Sequence, residues 1–138
     1  MSEEIEIFYK NLIFKQDEQV NYLELEIDEV NFSSQESYIS SVSIMLEYAL
    51  SVHPKYIILN REKHPFLISD KLFAFTINNI ISPLKLDSVK NIVCIGSEEE
   101  YHKRYFEIEK MEPFIKWVDS KYSALQWIKQ NEDQFPKS

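Results

Sequence analysis

Apolar and polar residues first alternate along the chain with the period of a β-strand. The segment YLELEID, residues 22–28, places aliphatic residues between acidic ones, which is typical of a strand with one buried and one solvated face. With IEIFYKNLIFK, residues 5–15, and the polar turn QDEQ, it predicts an antiparallel hairpin. The solvated face of the second strand would carry a row of carboxylates from Glu24, Glu26 and Asp28.

The pattern then changes to the helical period. NFSSQESYISSVSIMLEYALSVHP contains a capping box from Ser33 to Glu36, continues with apolar residues at helical spacing, and ends before Pro54. KYIILN follows as a continuous apolar run, which is typical of a strand covered on both faces. The next helix is predicted over 70–81 and stops at Ser82 and Pro83.

The rest of the chain repeats this alternation of strand and helix. NIVCIG predicts another buried strand, and a capping box from Ser97 to Glu100 opens the third helix. FIKWVDS is the last predicted strand, and SKYSALQWIKQN is the closing helix. Residues 131–138 are expected to form a frayed tail.

The predicted order of elements is ββαβαβαβα. We therefore expect an α/β fold in which a mixed β-sheet has an N-terminal antiparallel hairpin and about four helices. No linker or repeat divides the sequence, so residues 1–138 are expected to form a single domain. In such sheets functional groups gather at the carboxyl ends of the parallel strands.

Composition and charge narrow the classes of partner. The net charge of -8 is concentrated in residues 1–50, which hold 11 acids and 2 bases, and the chain has no basic stripe for nucleic acid. No apolar run is long enough to span a membrane. The acidic start lacks a signal-peptide pattern, and the lone Cys94 cannot form an internal disulfide. A cytoplasmic protein that binds a protein or small ligand is expected.

Residue types also limit the chemistry. Gly96 is the only glycine in the chain, which argues against a P-loop or a dinucleotide fingerprint, and we predict no cofactor. The histidines His53, His64 and His102 stand apart from one another, so we predict no metal site. Cys94 lies in the middle of a predicted strand, where a buried thiol is expected.

The loop REKHPFLIS, residues 61–69, is the segment with functional character. His64 could act as a base with Ser69 or Asp70 in a hydrolase, but the nucleophile-elbow pattern is missing. Ser69 has the position of a helix N-cap. A phosphorylated serine at a helix N-terminus would also be stabilised by the helix dipole and would change the surface by nearly two charges.

These segments resemble the STAS family, the SpoIIAA-like fold of anti-sigma-factor antagonists, stressosome proteins and anion-transporter tails. YIILN is similar to the family's central strand, and FLISDKL, residues 66–72, aligns without a gap with its motif F-[IM]-D-S-[ST]-G-L. KWVDSKYSALQWI is similar to the family's last strand and helix. The resemblance in the order of elements covers nearly the whole chain and implies a non-enzymatic regulatory domain of bacterial type.

The chain also departs from the family motif. Ile68 stands at the motif aspartate, Asp70 at the usual phospho-acceptor and Lys71 at the glycine, while Ser69 matches the residue before the acceptor. The resemblance thus implies an altered switch. Either Asp70 mimics a phosphorylated state, or Ser69 is the acceptor, or both residues only cap a helix. A diverged branch of the fold that resembles the lipid-binding Sec14 proteins implies a small apolar ligand instead.

Our leading hypothesis is a STAS-like regulatory or scaffold domain that docks a protein partner, kinase-like or otherwise regulatory, through the loop after the central strand. Phe75, on the following helix, is either a partly exposed anchor or a core residue beneath the neighbouring helix. The residues predicted to contact the partner or to act as the switch are Arg61, His64, Phe66, Ser69, Asp70 and Phe75.

Two further hypotheses concern a ligand and a second copy. Aromatic residues of the last two helices could line an apolar pocket for a lipid-like ligand; these are Tyr101, Tyr105, Phe106 and Trp127. A homodimer could also form through the exposed edge of the N-terminal hairpin, since unpaired edges invite pairing.

Overall fold

The structure is a computed structural model that describes residues 4–28, 33–63 and 69–134. In those residues it has six β-strands and four helices. The strands are β1 (Glu4–Tyr9), β2 (Leu12–Asp17), β3 (Tyr22–Glu26), β4 (Tyr56–Asn60), β5 (Asn91–Ile95) and β6 (Ile115–Val118). The helices are α1 (Gln35–Val52), α2 (residues 70–85), α3 (residues 98–111) and α4 (Lys121–Gln134).

All six strands belong to one mixed sheet in the order β1-β2-β3-β4-β5-β6. The pairs β1–β2 and β2–β3 are antiparallel, and the pairs from β3 to β6 are parallel. An α/β fold with a mixed sheet and four helices is thus confirmed. Each parallel strand lies next to the one before it, so the connections all run in the same direction across the sheet.

The N-terminal part contains three antiparallel strands, where the sequence predicted two. The predicted strand over 5–15 is divided by a turn at Lys10 and Asn11, and Tyr9 pairs with Leu12 across that turn. Lys10 adopts a φ of 55°, which a two-residue hairpin turn requires. The turn lacks glycine and proline, the residues that normally mark such a break in a sequence. The observed order is therefore βββαβαβαβα.

The sheet is covered on both faces. Helices α1, α2 and α3 pack on one face, around strand residues such as Phe14, Leu25 and Ile57. Helix α4 packs on the other face, where Ala124 and Ile128 contact a second buried cluster. Because three crossovers in one direction place their helices on the same side, only the last helix is available for the opposite side. Strands β4 and β5 are buried on both faces, as their apolar runs predicted.

The predicted open carboxylate row on β3 is wrong for Glu24, which is fully buried. Helix α4 covers this face and places Lys121 Nζ 2.5 Å from Glu24 Oε1. Asn60 Nδ2 donates to the other carboxylate oxygen at 2.7 Å. Glu26 is partly buried, and its carboxylate is paired with Lys15. The sequence pattern showed the alternation but not the helix that would cover the acidic face.

The predicted fraying of residues 131–138 is wrong for the part that the structure describes. Helix α4 continues to Gln134. Asn131 Nδ2 donates to the hydroxyl of Tyr56 at 3.0 Å, and that hydroxyl donates to Glu132 at 2.7 Å. These bonds tie the last turn to the start of β4. Residues 135–138 lie outside the described ranges.

Helix α2 also continues beyond its predicted stop. It begins as an α-helix (Asp70–Phe75), widens to a π-helix (Thr76–Ile81) and ends as an α-helix (Ser82–Lys85). The Ser82 N–H donates to Ile77 O, one residue further back than in an α-helix. Such widening relieves the clash that Pro83 would make with the preceding turn, so the proline is tolerated.

Candidate functional site

The candidate site lies at the carboxyl ends of the parallel strands, where β4 leads into α2. The structure describes this connection at Arg61, Glu62 and Lys63 and again from Ser69 onward. His64 and Phe66 lie outside the described residues, so their predicted roles stay predictions.

Ser69 is the N-cap of helix α2. Its Oγ accepts a hydrogen bond from the Leu72 N–H at 3.2 Å, and its carbonyl accepts one from the Phe73 N–H at 2.9 Å. This confirms the capping role that the sequence predicted. The side chains of Ser69 and Asp70 are both exposed, so the first turn of α2 presents a hydroxyl and a carboxylate side by side to solvent.

Below this exposed turn, α2 is fixed to the core. Leu72 is buried, and the Thr76 hydroxyl donates to Leu72 O at 2.9 Å. Because that hydroxyl already uses its proton, the hydroxyl of Tyr38 on α1 donates to Thr76 Oγ1, at 2.6 Å. This buried bond joins α1 to α2, so the exposed turn rests on a rigid base.

Arg61 requires a correction, because it is only 5% exposed and cannot serve as the predicted surface contact. It extends β4 by one residue: its main-chain N–H donates to Ile95 O at 3.2 Å. Strand alternation then turns its side chain toward the face that holds Ile57 and Leu59. Burial raises the pKa of Tyr38, whereas the charge of Arg61 acts to lower it. Arg61 is therefore an internal cation beneath the site.

Cys94 lies in the same buried region, as the sequence predicted. Burial raises the pKa of its thiol to about 11, despite the nearby charge of Arg61. A thiol with that pKa stays protonated at neutral pH and is a poor nucleophile. Tyr105 on α3 packs against Phe73 of α2, with ring centroids 5.7 Å apart, and burial raises its pKa well above the usual value.

Phe75 combines the two alternatives that the sequence left open. It is half-buried, and its inner side packs against the core on the face of the sheet that α1, α2 and α3 cover. Its remaining surface lies on the same helix as Ser69 and Asp70, one to two turns further along.

A polar network fixes the start of the connection. Asn60 Oδ1 accepts from the Glu62 N–H at 2.9 Å, and Glu62 Oε1 accepts from the Lys121 N–H at 3.1 Å. Asn60 also donates to Glu24 on β3. Through Glu62, this network joins β3 and β4 to α4. Sequence reasoning missed this network. Its one visible signal was a polar Asn60 at the end of a continuous apolar strand.

The other two histidines lie at the end of α1 and on α3. His53 has a φ of 53° and ends α1, with its N–H bonded to Ala49 O, and its Nδ1 lies 2.9 Å from Asp87 Oδ2. His102 is exposed on α3. Across residues 4–28, 33–63 and 69–134, no group of three or more histidine, cysteine or acidic residues is arranged to hold a metal ion.

The aromatic residues that the sequence grouped around a lipid do not line one common pocket. Trp127 lies on the face covered by α4, whereas Tyr101 and Tyr105 pack on the opposite face. Tyr101 stacks on Trp117 with ring centroids 4.6 Å apart. The structure instead has an open cavity of about 470 Å³ between the β2–β3 turn and α4. Its lining mixes polar and apolar side chains: Asp17, Gln19, Val20, Tyr22, Leu125, Gln126, Lys129 and Glu132.

No protein-family model matches the chain, and no similar protein is found among the curated proteins or the solved structures. In the described part of the chain, no helix is long and apolar enough to cross a membrane.

Proposed function

We propose that this protein is a STAS-like, non-enzymatic regulatory or scaffold domain of the cytoplasm that docks a protein partner at the start of α2. The docking surface consists of Ser69, Asp70 and the exposed side of Phe75, and the sequence adds His64 and Phe66 to it as predictions. One observation carries the proposal: Ser69 and Asp70 are exposed on the first turn of a helix whose opposite side is locked into the core.

A rigid base favours docking because the surface loses little conformational freedom when a partner binds. The buried Leu72 and the Tyr38–Thr76 bond hold α2 in place without using any exposed group. Phe75 then offers part of an aromatic ring on the same helix, and partly exposed aromatic side chains often anchor protein interfaces.

The same turn suits a charge switch at Ser69. Its Oγ already accepts the Leu72 N–H, and a phosphate or carboxylate oxygen can accept that bond equally well. Added negative charge is favourable at a helix N-terminus, so the helix would keep its cap. Phosphorylation would then change the charge next to Asp70 without unfolding α2. The partner would detect a different surface on an unchanged fold.

The experiment compares two variants that differ only in charge. Ser69→Asp and Ser69→Asn both retain N-cap capability, but only the aspartate adds a negative charge. Tagged wild type and both variants are expressed in the cells of origin, and co-purifying proteins are quantified by mass spectrometry. We expect at least one partner that binds wild type and Ser69→Asn equally and that is lost or gained with Ser69→Asp.

A matched control tests the location of the surface. Tyr122 is 74% exposed on α4, and we expect Tyr122→Ala to bind the same partners as wild type. Phe75→Ala should weaken the partner that responds to Ser69→Asp. Equal partner profiles for wild type, Ser69→Asp and Phe75→Ala would show that no partner docks here.

A further inference from the structure

Strand β1 forms one edge of the sheet and carries exposed apolar residues. Its partner β2 covers only one side of it. Phe8 is 75% exposed, and Ile5 and the neighbouring Ile13 of β2 are also exposed. Natural edges are normally protected by proline, a bulge or inward-pointing charges. The register from Glu4 to Tyr9 has no bulge and no proline.

The alternation of hydrogen bonds shows which groups of β1 face outward. Tyr9 and Leu12 close a two-residue turn, so they form a hydrogen-bonded pair. Every second residue then bonds to β2, and the residues between them direct their N–H and C=O groups to the open edge. These are Glu4, Glu6 and Phe8. In the part of the chain that the structure describes, no hydrogen bond reaches these outward main-chain groups.

The opposite edge of the sheet provides an internal comparison. On β6, the outward N–H of Trp117 donates to Glu109 Oε2 at 2.7 Å. The outward N–H of Ile115 donates to Glu112 O at 3.1 Å. Glu109 and Glu112 lie at the end of α3, so this helix protects the open side of the edge strand β6. The same sheet thus has one capped edge and one open edge.

We propose that β1 pairs with β1 of a second copy in antiparallel orientation, which joins the two six-stranded sheets into one. The outward residues of one β1 strand can form main-chain hydrogen bonds only with the outward residues of the other. Each face of the sheet therefore continues from one copy into the next. A two-fold axis at Ile7 satisfies this condition. It places Ile7 opposite its own copy, Ile5 opposite Tyr9 and Glu6 opposite Phe8.

Strand β1 is complementary to itself in this register, which favours a second copy as the occupant. An axis at Glu6 would place two identical carboxylates opposite each other, which is destabilising. An axis at Phe8 would pair only residues 7–9 of each strand. The axis at Ile7 pairs residues 5–9 and places no two like charges opposite each other.

The test uses charge at Phe8, an exposed position where the fold is not at risk. In the proposed register Phe8 faces Glu6 of the second copy, so Phe8→Glu creates two like-charge pairs by symmetry. We expect the dimer dissociation constant to rise about tenfold or more. Phe8→Lys should leave the dimer as strong as wild type or stronger, and the double variant Glu6→Lys/Phe8→Glu should restore it. Leu86→Glu, at a residue that is 89% exposed elsewhere, is the matched control.

Sedimentation velocity from about 1 to 100 μM covers the range in which a micromolar dimer dissociates. A wild-type dimer that responds to charge in this order supports the proposal. A monomeric wild type overturns it, even if the edge then binds a strand of another protein. A dimer that is insensitive to Phe8→Glu, or that Leu86→Glu weakens equally, also overturns it, because the copies would then meet elsewhere.

Discussion

The ion pair between Lys121 and Glu24 provides the sharpest test of how α4 is held on the sheet. Glu24 is fully buried, and its carboxylate is met by Lys121 on one oxygen and by Asn60 on the other. Lys121→Met keeps most of the aliphatic stem but removes the charge. The buried carboxylate would then retain a single neutral donor.

The expected loss of stability follows from burial. Removing one partner of a fully buried ion pair costs about 3–5 kcal/mol. Lys121 retains 24% side-chain exposure and Asn60 still donates to Glu24, so we expect about 2–3 kcal/mol. Lys121 also pairs with Glu4, a partly exposed contact that adds little.

Urea unfolding followed by tryptophan fluorescence measures this loss, since Trp117 and Trp127 lie on the two faces of the sheet. A double-mutant cycle with Glu24→Gln isolates the pair, and we expect a coupling free energy of about 2 kcal/mol. Lys129→Met, on the exposed side of α4, is the control and should change stability by less than about 0.5 kcal/mol. Equal effects of Lys121→Met and Lys129→Met would refute the buried pair.

Three further predictions concern stability and reactivity. Burial alone would raise the pKa of Glu132, but hydrogen bonds from Tyr56, Lys90 and Lys55 outweigh it and lower the pKa from 4.5 to about 2. Because the pKa is lower in the folded state, Glu132 stabilises the fold above pH 4.5, and this stabilisation is lost as the pH falls toward 2. Urea unfolding should therefore show that Glu132→Gln is less stable than wild type at pH 7, and that the difference shrinks as the pH falls from 4.5 to 2. A difference that is constant with pH would contradict this. Thr76→Val removes the acceptor of the buried Tyr38–Thr76 hydrogen bond and should cost about 1–3 kcal/mol, and much less in a Tyr38→Phe background. Equal losses in both backgrounds would exclude the bond. Cys94 should react with a thiol reagent only after unfolding, and rapid labelling of the native protein would contradict its burial.

The parallel half of the fold could be predicted because its signal is local. The apolar runs of β4 and β5 contain more apolar residues than a strand with one exposed face needs. Segments with the helical period lie between the strands, so the sequence predicts alternating parallel strands and helices. The capping role of Ser69 was equally local, since it depends on a residue three positions away. At the start of α1 the predicted capping box was one residue too early, because Ser34 and Ser37 form it instead of Ser33 and Glu36.

The features that sequence reasoning missed depend on contacts distant in sequence. Glu24 appeared solvated because nothing in β3 indicates that Lys121 will reach it. Arg61 appeared to be a loop residue because its strand-like bond is to Ile95, on another strand. The end of α4 appeared frayed because its anchor, Tyr56, lies at the start of β4. In each case the deciding partner becomes a neighbour only when the sheet forms.

The central claim is that a protein partner docks at the start of α2, and site-specific photocrosslinking in the cells of origin tests it most directly. A photoreactive amino acid replaces Phe75, which is half-buried on the docking surface, and in a parallel strain it replaces the exposed Tyr122 on α4. We predict a discrete adduct with another protein from position 75 and its absence from position 122. No adduct from position 75, or the same adducts from both positions, would contradict the proposed docking surface.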